Sequence, residues 1–318
     1  MWPLSAMSET ELQLDTVSET KVVIVAALLA SALFVHFRGR VKHKFARQVT
    51  DHSTFLAPYN ALVYAFSRLP NRPFFRTEDF PELQRLTNNW EAIRDEGLRL
   101  LGEGKVGVST GRNDLAFNSF FRRGWKRFYL KWYGDPLPSA KQFCPLTLKL
   151  LEEIPSVHAA MFALLPAGSR LGEHRDPFAG SIRYHLGLRT PNSDKCWIAV
   201  DGQRYAWRDG EAVLFDETYI HEAKNETDVD RLILFCDVER PLWGAAPRAI
   251  NRFIIEKVVK ITAAQNMEGE PIGLANRVFG MFFRMHTAGQ RMKKWNRKAY
   301  YGLKYATMIL IVYAVLFL

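Results

Sequence analysis

Cysteine is scarce in this sequence, and the three that occur, Cys144, Cys196 and Cys236, are an odd number with no metal-type spacing. A disulfide scaffold and a zinc ribbon are thereby excluded, and reduced thiols in a cytosol-facing domain are expected. Internal repeats and low-complexity linkers are missing as well. Acidic residues fall short of basic ones, 33 against 43, leaving a formal net charge of +10. That balance suits nucleic acid, an anionic membrane or a phosphorylated substrate, and composition alone does not choose among them. No zinc knuckle or RNA-binding sheet motif occurs, so no nucleic acid partner is expected, and no obligate protein partner is evident. The 318 residues, 48% of them hydrophobic, suffice for one large domain or two small ones.

Lys, Arg, Asp and Glu are all absent from Val22 to Phe37 (VVIVAALLASALFVHF). The run falls a little short of the roughly 20 residues that span a bilayer, with Lys21 and Arg38 placed to snorkel and complete it. Glu9, Glu11, Asp15 and Glu19 lie upstream; Arg38, Arg40, Lys42, Lys44 and Arg47 follow. The positive-inside rule then puts the N-terminus outside and the bulk of the chain in the cytoplasm. Ala30-Ser31-Ala32 offers a small-x-small cleavage site, but an acidic leader and a cut inside the apolar run argue for an uncleaved anchor. Tyr305 to Leu318 (YATMILIVYAVLFL) sits behind Arg291, Lys293, Lys294, Arg297, Lys298 and Lys304 and reads as a second, short span. Phe55 to Leu69 and Arg252 to Met285 are apolar or amphipathic with scattered bases, and fit either core helices or helices lying in the headgroup layer.

Between the ends, Asp79 is a candidate helix cap, with Pro81 in the first turn and Leu83, Leu86, Trp90 and Ile93 at helical spacing. A second short helix fits Leu146 to Ile154. From His158 the period becomes two, predicting strands at His158–Leu165, Ile182–Arg189, Cys196–Asp201, Gln203–Trp207, Ala212–Phe215 and Leu232–Val238, with turns at Asp201-Gly202 and Asp209-Gly210. Short strands at this spacing predict an α+β chain with an antiparallel barrel or double-sheet jelly roll at its core.

His174-Arg175-Asp176-Pro177 sets an imidazole and a carboxylate two residues apart. Pro177 biases Asp176 to extended geometry, where residues i and i+2 point the same way and can share one ion. A hairpin centred near Glu226 is expected to bring His221 and Arg231 onto adjacent strands. Two histidines and a carboxylate fill one face of an octahedron, as in non-haem Fe(II) oxygenases, leaving positions for 2-oxoglutarate and O₂. The far carboxylate of 2-oxoglutarate needs a buried cation, which a guanidinium supplies in bidentate form. In Ser181-Ile-Arg-Tyr-His-Leu-Gly-Leu, Arg183 and His185 share one face while Ile182, Tyr184, Leu186 and Leu188 take the other, implying a polar, anion-binding interior.

The stretch from about Phe162 to Pro241 resembles the aspartyl/asparaginyl β-hydroxylase family. The resemblance rests on Ala167-Gly168, His174, Arg183-Tyr-His185-Leu-Gly-Leu, Gly210-Glu-Ala-Val-Leu-Phe215-Asp216, His221-Glu222, Asn225, Arg231 and Asp237-Val-Glu-Arg-Pro241. It implies a double-stranded β-helix of the jelly-roll or cupin kind, His174 and His221 as iron ligands, Arg231 on the distal 2-oxoglutarate carboxylate, and Arg183 and His185 as further co-substrate contacts. Animal members have glycine at the place of Asp176, so Asp176 as third ligand rests on the triad chemistry. Their serine near the distal carboxylate aligns with Ala163.

Residues outside that stretch, notably His36-Phe-Arg-Gly-Arg-Val-Lys-His-Lys-Phe45 and Thr50-Asp-His-Ser-Thr-Phe-Leu-Ala-Pro-Tyr-Asn60, are similar to the membrane-bound lipid A 2-hydroxylases of Gram-negative bacteria. This branch implies 2-hydroxylation of a secondary acyl chain on the 3′ side of lipid A, at the cytoplasmic face of the inner membrane, alongside its lipids. The alternatives are a protein aspartyl/asparaginyl hydroxylase or a hydroxylase of another membrane lipid. Phe120 to Trp132 interleaves Arg122, Arg123, Lys126, Arg127 and Lys131 with aromatics, and reads either as an amphipathic strand or as a headgroup contact. The expected organisation is an acidic tail (1–21), an anchor (22–37), a basic juxtamembrane segment (38–75), the dioxygenase domain (76–245), an amphipathic membrane-proximal segment (246–300) and a terminal membrane segment (301–318).

Overall fold

Apolar residues at alternate positions, or in unbroken buried runs, make strands of most of the chain between Val157 and Glu239. The computed structural model describes residues 9–107, 114 and 124–317. Four helices come first: α1 (Glu9–Phe37), α2 (Phe45–Gln48), α3 (His52–Phe55) and α4 (Ala57–Ala65). Then follow β1 (Phe74–Phe75), α5 (Gln84–Asn88), α6 (Trp90–Gly102), β2 (Lys126–Trp132), α7 (Pro138–Phe143) and α8 (Pro145–Glu152). The strand-rich part comprises β3 (Val157–Leu165), β4 (Arg170–His174), β5 (Ser181–Arg189), β6 (Cys196–Val200), β7 (Gln203–Ala206), β8 (Ala212–Phe215), β9 (His221–Asn225) and β10 (Arg231–Glu239). Helices α9 (Ala245–Ile254), α10 (Leu274–Trp295) and α11 (Arg297–Phe317) close the described chain.

The strands form two antiparallel sheets, one of six in the order β1-β8-β5-β10-β3-β2 and one of four in the order β4-β9-β6-β7. Inward residues of both line a common cavity, which is the double-sheet arrangement expected from the strand spacing. The outer face of β5 turns Tyr184 towards the helical layer, where its hydroxyl meets Thr87 Oγ1 at 3.1 Å. Gly187 in the same strand has a steric reason: a Cβ there would collide with the Arg208 carbonyl. At the β6–β7 hairpin, Asp201 and Gly202 both take positive φ, as a tight two-residue turn demands.

Three expectations change. The helix placed at Asp79 begins later: 3₁₀ turns occupy Thr77–Asp79 and Pro81–Leu83 before α5 and α6, and Asp79 pairs with Arg72 at 3.6 Å instead of capping. Leu83, Leu86 and Ile93 are nevertheless buried. His221 and Arg231 are not on adjacent strands. Asn225 donates to the Leu165, Pro166 and Val229 carbonyls, and the following turn carries the chain from the four-stranded to the six-stranded sheet, so the two residues face each other across the cavity. Arg38 does not snorkel; it is buried against Asp216 at 2.6 Å and between the rings of Tyr64 and Tyr219.

In the segment read as a headgroup contact, Arg122 and Arg123 lie outside the described residues. Arg127 is buried and paired with Asp114 at 2.8 Å, which removes it from any lipid surface. One helix among the described residues is long and apolar enough to cross a membrane, over Glu19–Phe37. Helix α11 carries the exposed apolar residues Ile309, Leu310, Ile311 and Val312.

Candidate metal and anion site

His174 ends β4 and His221 begins β9, and the two are direct cross-strand partners with ring centroids 4.1 Å apart. Each imidazole is oriented from its own backbone. His174 Nδ1–H donates to Gly172 O at 2.8 Å and His221 Nδ1–H to Tyr219 O at 3.0 Å, which fixes the tautomers and presents both Nε2 lone pairs. Asp176 Oδ1 lies 3.8 Å from His174 Nε2, and one ligand atom from each of the three residues falls within 4.8 Å of the others. The expected triad is therefore assembled, by strand pairing at one end and by the extended His174–Pro177 loop at the other.

The protonation states match a cation. Burial pushes His174 below its ordinary pKa, and burial together with the neighbouring His174 brings His221 down to about 3. Both rings are thus neutral near pH 7, the form in which an imidazole can ligate a metal. Burial alone would raise the Asp176 pKa, but the Arg183 guanidinium at 3.0 Å outweighs it and holds the carboxylate ionised.

Arg183, expected as a co-substrate contact, is already engaged. It binds Asp176, Glu217 and, through Nε at 2.8 Å, Asp237, and lies over the Phe235 ring. Tyr133 donates to Asp237 at 2.8 Å and Ser181 to Glu217 at 2.8 Å, so the buried carboxylates share donors. Burial nonetheless raises the pKa of Glu217 and Asp237, against the pull of Arg183.

Arg231 is the opposite case. It is fully buried, stacks its guanidinium 4.3 Å above the Trp207 ring, and has no hydrogen-bonding partner among the described residues. Burial brings its pKa down to about 10, and no carboxylate offsets that loss. His185 is equally alone: both ring nitrogens are buried without partners, and burial with the nearby Arg231 charge keeps it neutral. Uncompensated buried donors of this kind are costly and rare unless a ligand satisfies them.

All six expected residues, His174, Asp176, His221, Arg183, His185 and Arg231, line one cavity. Its volume is about 40 Å³. Trp207, whose buried Nε1 lacks a partner, and Trp125 also line it and escaped the sequence reading, because an isolated tryptophan gives no spacing signal.

Residues 87–241 match the family described as aspartyl/asparaginyl beta-hydroxylase. That stretch of the chain is similar to an aspartyl/asparaginyl β-hydroxylase domain. An ornithine lipid ester-linked acyl 2-hydroxylase from Rhizobium tropici is 34% identical to it over 192 residues, 58% of this chain and 66% of that protein. Human aspartate beta-hydroxylase domain-containing protein 2 is 30% identical, over 60% of this chain and 54% of its own length. Human aspartyl/asparaginyl beta-hydroxylase is 27% identical, over 59% of this chain and 25% of its own. The chain thus spans just under two thirds, about half and a quarter of these relatives. A prolyl-4-hydroxylase structure from Pseudomonas putida covers 48% of this chain and 87% of its own, with 19% identity and a TM-score of 0.33. The matched residues 87–241 contain the triad together with the unpartnered groups of Arg231, His185 and Trp207.

Proposed function

We propose that this protein is an Fe(II)- and 2-oxoglutarate-dependent hydroxylase that adds a 2-hydroxyl to an acyl chain of lipid A. The observation that carries the oxygenase reading is Arg231, a buried guanidinium without an anion, lining the cavity that the His174, Asp176 and His221 ligand atoms share. Two neutral imidazoles and one carboxylate in a facial set suit Fe(II) and leave positions for exchangeable ligands. When bound, the iron with 2-oxoglutarate activates O₂ for insertion of one oxygen atom into a C–H bond. The chain's own residues do the rest: Arg231 takes the distal carboxylate as a charge-assisted pair, and His185 and the Trp207 N–H are the nearby donors where Ala163 supplies none. Leu171, Ile198, Phe215, Ile233 and Phe235 make the remaining wall apolar, which excludes water and accepts a hydrocarbon chain.

A lipid substrate needs the cavity beside a membrane. Support comes from the candidate span at Glu19–Phe37 and from α9, whose exposed surface sets Ile250 and Phe253, near the exposed Trp243, beside Arg248 and Arg252. Phe34 of α1 touches Tyr64 of α4, and the Trp243 N–H donates to Phe66 O just beyond α4, so both elements are tied to α4. In this reading α11 forms the second membrane segment, and the domain faces the cytoplasm of an inner membrane.

Mass spectrometry of lipid A from cells with and without the protein tests the assignment, the expected result being a gain of one oxygen atom that His221→Ala abolishes. Unmodified lipid A beside hydroxylated ornithine lipid would transfer the substrate to the second reading, which the 34% identity to the Rhizobium tropici enzyme favours. Hydroxylation of a protein aspartate or asparagine with no lipid product would sink both.

A further inference from the structure

The loop that carries two of the three ligands is packed against the end of the membrane-facing helix. The last carbonyls of any helix lack N–H partners. At the end of α1 the Arg38 N–H closes onto Phe34 O at 2.9 Å, and the next carbonyl, Val35 O, accepts from Arg175 Nη1 at 2.7 Å. Arg175 stands between His174 and Asp176 and is only 2% exposed. Its guanidinium serves α1 both as a donor and as a positive charge at the negative end of the helix dipole.

The backbone on either side is tied to the same segment. His52 Nε2–H donates to Arg175 O at 2.9 Å, Asn60 Nδ2 to Pro177 O at 2.8 Å, and the Ala179 N–H to Asn60 Oδ1 at 3.0 Å. Along an extended chain alternate residues face opposite ways. Residues 174 and 176 line the cavity on this short stretch, while the Arg175 side chain and the backbone at 175, 177 and 179, where the chain bends and turns, are held by residues 35 to 60. Asp176 is fixed in addition by its N–H on Glu217 O at 3.0 Å.

We infer that the C-terminal end of α1 is a part of the metal centre, with Arg175 as the positioning residue that sets the spacing of His174 and Asp176 by capping the helix. The inference rests on the proposed triad as a metal site and goes beyond it: the anchor tethers the hydroxylase domain and also completes its ligand geometry. Outer partners that orient ligands typically change metal affinity by about ten- to a hundredfold when removed.

The test uses the full chain in lipid nanodiscs, freed of metal and titrated with Co(II) while its ligand-field absorption and thermal unfolding are followed. The expected results are one site in the wild type, affinity at least about tenfold weaker with altered band shape in Arg175→Met, and an intermediate loss in Arg175→Lys, which keeps one flexible donor. If Arg175→Met does not fold, Arg175→Lys decides: measurable weakening supports the inference, and affinity and spectrum equal to the wild type overturn it. Equal affinity and spectrum in a folded Arg175→Met, with only the melting temperature lowered, leave Arg175 a purely structural cap and overturn it too. A wild type that takes up no Co(II) removes the metal reading itself, and the inference with it.

Discussion

At the scale of single residues, the two cavity arginines separate by what already surrounds them. Arg231 has no anion, so Arg231→Met should raise the apparent KM for 2-oxoglutarate by about ten- to a hundredfold, the equivalent of about 1.5–3 kcal/mol for a charge-assisted pair. Steady-state kinetics at saturating lipid reads this directly, and an unchanged KM moves the anion site elsewhere. Arg183 is saturated by three carboxylates. Its replacement by Met should therefore lower metal affinity and stability, with little effect on the affinity for 2-oxoglutarate. Asp176→Ala removes the proposed third ligand, whose carboxylate is held ionised by Arg183; metal uptake and turnover should collapse, whereas a two-histidine site would retain a substantial part of both.

Asp216 makes the corresponding stability prediction. Arg38 and Arg240 both bind its Oδ2, at 2.6 and 2.8 Å. Burial opposes ionisation there, but Arg240 and Arg38 outweigh it and hold the carboxyl well below the usual carboxylate range. A lowered folded pKa means the contribution is complete above the unfolded value, roughly pH 4, and is lost as pH falls through the folded one. Asp216→Asn strands two buried guanidiniums and should cost about 3–5 kcal/mol near neutrality. Thermal unfolding of wild type and variant should differ by that constant margin above about pH 5 and converge in acid; a margin that widens in acid would contradict the pairing.

At the scale of elements, α9 and α1 play different parts. The outer face of α9 touches nothing among the described residues that would explain Ile250 and Phe253, both exposed, while its inner face is anchored by Asn251, which donates to Gly180 O and accepts from Tyr59. Phe253→Asp should therefore weaken lipid hydroxylation in vesicles while changing domain stability by no more than about 0.5 kcal/mol, as for other surface substitutions. Equal loss of turnover on a detergent-dispersed substrate would count against a membrane-seated α9. Deleting residues 1–37 is not a neutral truncation. It removes Val35 O from Arg175 and uncovers α4, so it should lower the melting temperature as well as lipid turnover.

At the scale of the whole molecule, orientation decides whether 2-oxoglutarate and Fe(II) reach the site. In the proposed reading, acids before Glu19–Phe37 and bases after it predict a cytoplasmic domain by the positive-inside rule. A green fluorescent protein fused after residue 245 should fluoresce, and alkaline phosphatase at the same point should be inactive. The reverse pattern would put the cavity in the periplasm and remove the co-substrate reading with it.

The local chemistry of this chain was legible in its sequence because it depends on short-range geometry. Alternation predicted six strands to within one residue at either end, as β3, β5, β6, β7, β8 and β10 show, since burial of one face imposes period two wherever it occurs. His174 and Asp176 were readable for the same reason, as i and i+2 on extended chain. What failed was whatever depends on where a polar segment goes. Strands β4 (Arg-Leu-Gly-Glu-His) and β9 (His-Glu-Ala-Lys-Asn) carry no apolar period, so neither they nor the direct pairing of His174 with His221 could be read. The turn after Asn225 switches sheets instead of closing a hairpin, a choice made by carbonyls some sixty residues away in sequence. Charge shows the division most clearly. Arg38, Arg127, Arg183 and Arg231 are the same residue type, each beside at least one apolar residue, and nothing in their immediate neighbours distinguishes the paired from the unpaired. Only the folded structure gives Arg38 to Asp216, Arg127 to Asp114 and Arg183 to three carboxylates, and leaves Arg231 with none. A residue's type sets which partners it accepts, whereas burial and distance, which long-range packing alone determines, decide whether it has found one.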